Sequence, residues 1–294
     1  MEPLKKKIDL SKILAPVTYA SFLDWLDNER LILSWFAGEN ASPEETTIII
    51  LNPFTGEQQS FLSNFPDLFN RYPDFMYKWG EYWRVLSVYN RTFDRAVYLS
   101  MEEVVLWDLS HQRPIASFED ETDYNISRPI WSPDGSRFIL DLNSPSGRNL
   151  FIVNKEGTKQ QVTFLSGHDG LGWKMGDYTD FAWSPAGPSI AFWLMTGRDE
   201  SSGNNIYDLV ILNLSTKQLR NLCLPVQVCR MNYPEWYPVW SPDGTKLLIA
   251  VPYGECPSEG SIYKDNNTVL IDLAHNQAYL FAKDAVPVGW MVND

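Results

Sequence analysis

Short runs rich in β-branched and aromatic residues, bounded by turn residues, recur along the whole chain. "RFILDL" (137–142), "NLFIVN" (149–154) and "QQVTFL" (160–165) form one series. "IAFWLM" (190–195) and "YDLVILNL" (207–214) begin a second; "LLIAV" (247–251), "TVLIDL" (268–273) and "QAYLFA" (277–282) make a third. Near the N-terminus "RLILSWF", "TTIIILN" and "EQQSFL" keep the same order. Such runs predict strands rather than helices. Ahead of three series stands nearly the same turn: "PIWSPDGSRFI" (129–139), "FAWSPAGPSIA" (181–191) and "PVWSPDGTKLL" (238–248). In Ser-Pro-Asp-Gly, Pro presets φ, Asp suits the third position and Gly releases the chain into the next strand. Asp134 and Asp243 are therefore expected to be turn residues, not catalytic acids. With the segment ending in Trp counted, each unit predicts a four-stranded antiparallel meander.

Aligned on that tryptophan, the register extends to Trp25, Trp79, Trp131, Trp183, Trp240 and Trp290, at intervals of 54, 52, 52, 57 and 50 residues. The second unit is irregular. "WRVLSVYN" (83–90), "RAVYLS" (95–100), "EVVLWDL" (103–109) and "IASF" (115–118) offer one strand too many. Repeated four-stranded units that cannot bury both faces alone predict an all-β fold, a β-propeller of antiparallel blades. A single domain over 1–294 is expected, with repeats at about 19–71, 72–123, 124–177, 178–232 and 233–284. Residues 285–294 then read as a closing strand, pairing into the N-terminal unit or joining residues 4–15 in a partial sixth blade. The propeller is five- or six-bladed.

The Trp-Ser-Pro-Asp-Gly strand-turn-strand resembles the repeat of TolB-like, WD40-like propellers. It is also similar to repeats in the non-catalytic propellers of prolyl oligopeptidase-type peptidases. The resemblance covers nearly the whole chain, most closely from the third unit to the fifth. It implies a fold rather than an activity. TolB-like relatives are often periplasmic, whereas the sequence shows no signal peptide after Lys5-Lys6-Lys7 and reads as cytoplasmic by default.

In a meander, alternate connections fall on opposite ends. The first-to-second and third-to-fourth turns ("SPDG", "NKEGTK", "NLSTKQ", "LAHNQ") are short. The second-to-third loops and the links between units are long: 36–45, 195–205, 252–267, 63–74, 166–180 and 224–238. Long loops gathered at one end of a rigid scaffold are a binding-site signature. The candidate site comprises His168, Trp173, Asp177, Tyr178, Tyr233, Glu235, Trp236 and Tyr253. Aromatics beside carboxylates suit a peptide, a cationic group or a sugar.

Charge narrows the partner. Thirty-seven acids against 24 bases give a formal charge of −13, which opposes nucleic-acid binding and favours a protein or peptide, with a bias toward basic ones. No apolar run is long enough to span a membrane. Cys223, Cys229 and Cys256 form no Cys-x-x-Cys pair. His111 and His275 fall in short turns at the opposite end, and no nucleophile elbow accompanies His168. Neither cofactor nor metal is expected, because no phosphate loop, paired-histidine or calcium-loop spacing occurs. The leading expectation is a non-catalytic scaffold binding a protein or peptide through the long-loop face. The alternative is a hydrolase acting on a glycan or peptide in the central channel, which needs only two suitably spaced carboxylates.

Overall fold

The computed structural model describes residues 19–25, 30–36, 46–61, 90, 92, 94–99, 103–108, 110–111, 113–119, 129–144, 147–164, 181–200, 205–224, 228–229, 238–252, 266–283, 285, 287 and 289–290. The described residues form strands and turns without helix, and none of them lies in a helix long and apolar enough to cross a membrane.

Blade one is the meander β1 (Tyr19–Trp25), β2 (Leu31–Phe36), β3 (Thr46–Leu51) and β4 (Gln58–Phe61). Blade two contributes β5 (Arg95–Leu99), β6 (Glu103–Asp108) and β7 (Arg113–Glu119). Blade three is β8 (Ile130–Trp131), β9 (Arg137–Ser144), β10 (Gly147–Asn154) and β11 (Lys159–Gln161). Blade four is β12 (Ala182–Trp183), β13 (Ser189–Arg198), β14 (Asn205–Asn213) and β15 (Gln218–Asn221), with β16 (Val228–Cys229) added to β14. Blade five is β17 (Val239–Trp240), β18 (Lys246–Pro252), β19 (Asn266–Asp272) and β20 (Gln277–Ala282). Among the described residues every pairing is antiparallel, and all but β14–β16 join strands adjacent in sequence.

From blade two to blade five, the period-2 pattern lets successive blades pack face to face. Val104, Leu106 and Phe118 of blade two meet Trp131, Phe138, Leu140 and Phe151 of blade three. Ile139, Leu150 and Ile152 on the far face of blade three meet Trp183, Ile190 and Phe192 of blade four. Trp193, Leu209 and Ile211 of blade four meet Trp240, Leu247 and Ile249 of blade five. These central strands are apolar on both faces because both are buried, as blade stacking requires.

The tryptophan of each turn locks this stacking. Trp183 Nε1 donates to Ile130 O and Trp240 Nε1 to Ala182 O, each at 2.9 Å. Trp290 Nε1 donates to Val239 O at 3.0 Å. An indole N–H buried between sheets needs such a partner.

The turn itself behaves as its chemistry dictates in two copies. Ser132 and Ser241 donate from Oγ to Asp134 and Asp243, at 2.5 and 2.6 Å. The same carboxylates accept backbone N–H bonds from Ser136 and Thr245. Gly135 and Gly244 both sit at φ 66°, a left-handed conformation that favours glycine. The third copy departs. Ala186 replaces the Asp and Pro188 follows the Gly, so Gly187 keeps a non-positive φ and Ser189 N–H bonds Gly187 O instead. A proline restricts the residue before it to extended backbone.

Blade two uses the same turn with different letters. Asn90 N–H bonds Arg95 O, as Ser132, Ser184 and Ser241 bond Arg137, Ser189 and Lys246. Asn90 thus holds the place of the serine, and the residue before it in sequence is Tyr89. Trp79, from which the register of this unit is expected, lies outside the described residues.

Candidate functional site

Backbone groups at the short-turn end are satisfied by one another. At the short-turn end, the third-to-fourth turn of a blade bonds its own first-to-second turn. Lys155 N–H reaches Ser136 O, Leu214 N–H reaches Pro188 O and Leu273 N–H reaches Thr245 O, at 2.7–3.0 Å. Successive blades are also stitched there. Asn90 Nδ2 donates to Gly135 O, Arg95 Nε to Lys155 O and Arg220 to Asn276 Oδ1. A Cβ on Gly244 would lie 2.7 Å from Ala186 Cβ and 2.9 Å from Ser184 Oγ. These turns touch, which leaves them little freedom to receive a ligand.

Both histidines at this end act as turn partners. His111 Nδ1 lies 2.9 Å from Asp108 and His275 Nδ1 lies 3.0 Å from Asp272, with both rings exposed. Burial pushes the Asp108 carboxyl up, but the His111 hydrogen bonds and the Arg95 charge outweigh it and hold it below the usual range. The Asp272 carboxyl is lowered chiefly by the His275 backbone N–H. Carboxylates held ionised in this way serve as caps rather than proton donors.

The opposite end carries the long connections. β13 and β14 pair through Arg198↔Asn205, so 195–198 and 205 of the loop expected over 195–205 are hairpin and 199–204 remains between the strands. The link over 224–238 contains β16, which extends the β14 edge through Ile206↔Cys229 and Tyr207↔Val228. Neither feature was foreseen: "MTGR" reads as loop because its glycine masks the alternation, and two-residue β16 is too short to show one.

His168, Trp173, Asp177 and Tyr178 belong to the segment between Phe164 and Phe181. Tyr233, Glu235 and Trp236 fall between β16 and β17, and Tyr253 directly follows β18. All eight lie outside the described residues. What the structure places is the frame they spring from. Phe164 is exposed at the start of the first segment, whereas Phe181 is buried at its end, packed on Phe192.

One buried polar group beneath this end was not singled out from sequence. Asp141 is 1% exposed on β9, opposite Leu150 of β10. Counted from the shared turn, its counterparts in blades four and five are Trp193 and Ala250. Nearby, Thr163 Oγ1 accepts from Leu150 N–H and donates to buried Asn149. The signal was legible as an acid inside the apolar run "RFILDL". Burying a carboxylate costs several kcal/mol unless it is paired. Among the described residues no group of three or more His, Cys, Asp or Glu is arranged to hold a metal.

Stacked, twisted four-stranded meanders, joined by indole hydrogen bonds from one innermost strand to the next, define a β-propeller. Neither a family model nor a curated protein sequence matches the chain. Among solved structures it is similar to TolB from Acinetobacter baumannii, with 15% identity and a TM-score of 0.50 over 88% of this chain and 53% of that one. It also matches a putative TolB from Agrobacterium tumefaciens (12% identity, TM-score 0.47, 94% of this chain and 86% of that one) and the Dos1 propeller (12%, 0.41, 87% and 58%). The chain has a TolB-like β-propeller fold, and spans about half the length of the Acinetobacter TolB.

Proposed function

We propose that residues 1–294 form one propeller that works as a non-catalytic scaffold, binding a protein or peptide through the long-connection end. The observation that supports this reading is the asymmetry of the two ends. Backbone groups at the short-turn end are spent on turn-to-turn bonds within and between blades. At the other end the same rigid sheets carry the connections 165–180, 225–237 and 253–265. Those segments bring Trp173, Tyr178, Tyr233, Trp236 and Tyr253 together with Asp177, Glu235 and His168 in sequence. Aromatic anchors beside acids would supply affinity and select for a basic partner.

The test is affinity capture from extracts of the source organism with the wild-type chain and with the Trp173→Ala/Trp236→Ala/Glu235→Lys variant. A second control carries Ser215→Ala and Lys217→Ala at the short-turn end. A protein retained by the wild type and the control, and lost by the first variant with its β-sheet circular dichroism unchanged, is the expected result. Equal retention by all three chains would remove the long-connection end as the binding surface.

A further inference from the structure

The outer edge of β14 is occupied twice. Its C-terminal part pairs with β15, from Asn213↔Gln218 to Val210↔Asn221, and Leu222 N–H adds a last bond to Leu209 O. Its N-terminal part pairs with β16, through Tyr207↔Val228 and Ile206↔Cys229. Asp208 separates the two stretches, so the chain leaves this edge after Leu222 and returns to it at Val228.

Two hydrogen bonds hold Cys223 at that gap. Asn221 Nδ2 donates to Asp208 Oδ2, and Cys223 N–H donates to Asn221 Oδ1, each at 2.7 Å. The Asn221 amide thus bridges the Asp208 carboxylate and the Cys223 backbone. Cys223 turns out of β15 there in the left-handed region, at φ 46°, with its thiol exposed and free.

Register places the second cysteine on the same face. Ile206, Asp208 and Val210 share one face of β14, because strand residues alternate. Residues directly opposite them share it too. Cys229, opposite Ile206, therefore takes the face on which Asn221, opposite Val210, meets Asp208. Positions 206 and 208 stand about 7 Å apart at the rise of a strand, the upper end of the Cα separation that a disulfide spans.

We propose that Cys223 and Cys229 are a redox pair whose disulfide ties β16 to the end of β15. The exposed Cys223, as thiolate, attacks a disulfide oxidant such as oxidised glutathione, forming a mixed disulfide and releasing one glutathione. Cys229 then displaces the second glutathione. Two protein thiols are oxidised, one glutathione disulfide is reduced, and the two protons pass to the released glutathione. β16 is two residues long, and the disulfide adds a covalent tie to its short hydrogen-bonded one. The link that follows carries Tyr233, Glu235 and Trp236, so the tie fixes the point from which that link starts. This inference is independent of the binding reading.

The first test equilibrates the wild-type chain with reduced and oxidised glutathione, alkylates the remaining thiols and maps the peptides by mass. The expected oxidised product is a monomer with Cys223 linked to Cys229 and Cys256 alkylated, which returns to three alkylated cysteines in reducing buffer. Glutathione retained on Cys223, a bond from Cys223 to Cys256, a disulfide-linked dimer, or three free thiols throughout would each overturn the proposal. Amide exchange at Val228 and Cys229 then reads the tie itself. Oxidation is expected to slow it about tenfold in the wild type and to leave it unchanged in Cys229→Ser. Equal rates in the oxidised and reduced wild type overturn the proposal.

Discussion

Asp243 shows how much one turn residue does. It accepts the Ser241 hydroxyl, the Thr245 N–H and the Thr245 hydroxyl, which bring its carboxyl down to about 2. A carboxyl depressed on folding contributes stability that is fully present above its unfolded value near 4 and lost as pH falls toward 2. Asp243→Ala is expected to cost about 1 kcal/mol at pH 7 and to flatten the fall in stability between pH 4 and 2, read by urea unfolding at both ends of that window. The glycines make a sharper contrast. Gly244→Ala forces a side chain into φ 66° and against Ala186 and Ser184, an expected loss of about 1–3 kcal/mol. Gly187→Ala, at the same place in the turn spelled Ser-Pro-Ala-Gly-Pro, meets nothing within 4 Å and should be neutral or slightly stabilising. Paired thermal melts decide between a rule about the motif and a rule about the backbone it adopts.

Between elements, stability rests on apolar stacking fixed by the indole bonds. Trp240→Phe keeps most of the buried ring but deprives Ala182 O of its donor. The expected cost is about 1–3 kcal/mol, partly for the orphaned carbonyl and partly for the smaller ring. Trp183→Phe should cost somewhat more, because the Trp183 ring also lies 5.4 Å from the Arg137 guanidinium and loses a cation–π contact. Denaturant titration of the two variants checks the order. If Trp240→Phe is neutral, the bond between blades is incidental to the stacking.

For the whole molecule, the charge of −13 bears on the proposed binding. A basic partner held through acidic loops should be captured less well as salt rises, because exposed charges are screened beyond about 8 Å at physiological ionic strength. Capture at low and high salt, in the experiment already described, checks this. Capture that strengthens with salt would instead point to the aromatic side chains alone.

What the sequence determined by itself is local. The strands follow from β-branched runs between turns, and the Ser-Pro-Asp-Gly turn closes hydrogen bonds within five residues of its serine, so both are written in adjacent letters. The repeat then implies stacking, since no single meander can bury both its faces. What needed the tertiary structure involves partners far apart in the chain. Asn90 closes its turn locally through the Asp94 and Arg95 N–H groups, but its amide also reaches Gly135 O, 45 residues away. β16 exists only by pairing with β14, and Asp141 lies buried on the face of blade three that packs against blade four. The indole bond of Trp290 likewise needed the fold, because Val239 O lies 51 residues upstream yet 3.0 Å away. Distances across a fold are set by the packing of whole sheets, which no short stretch of sequence encodes.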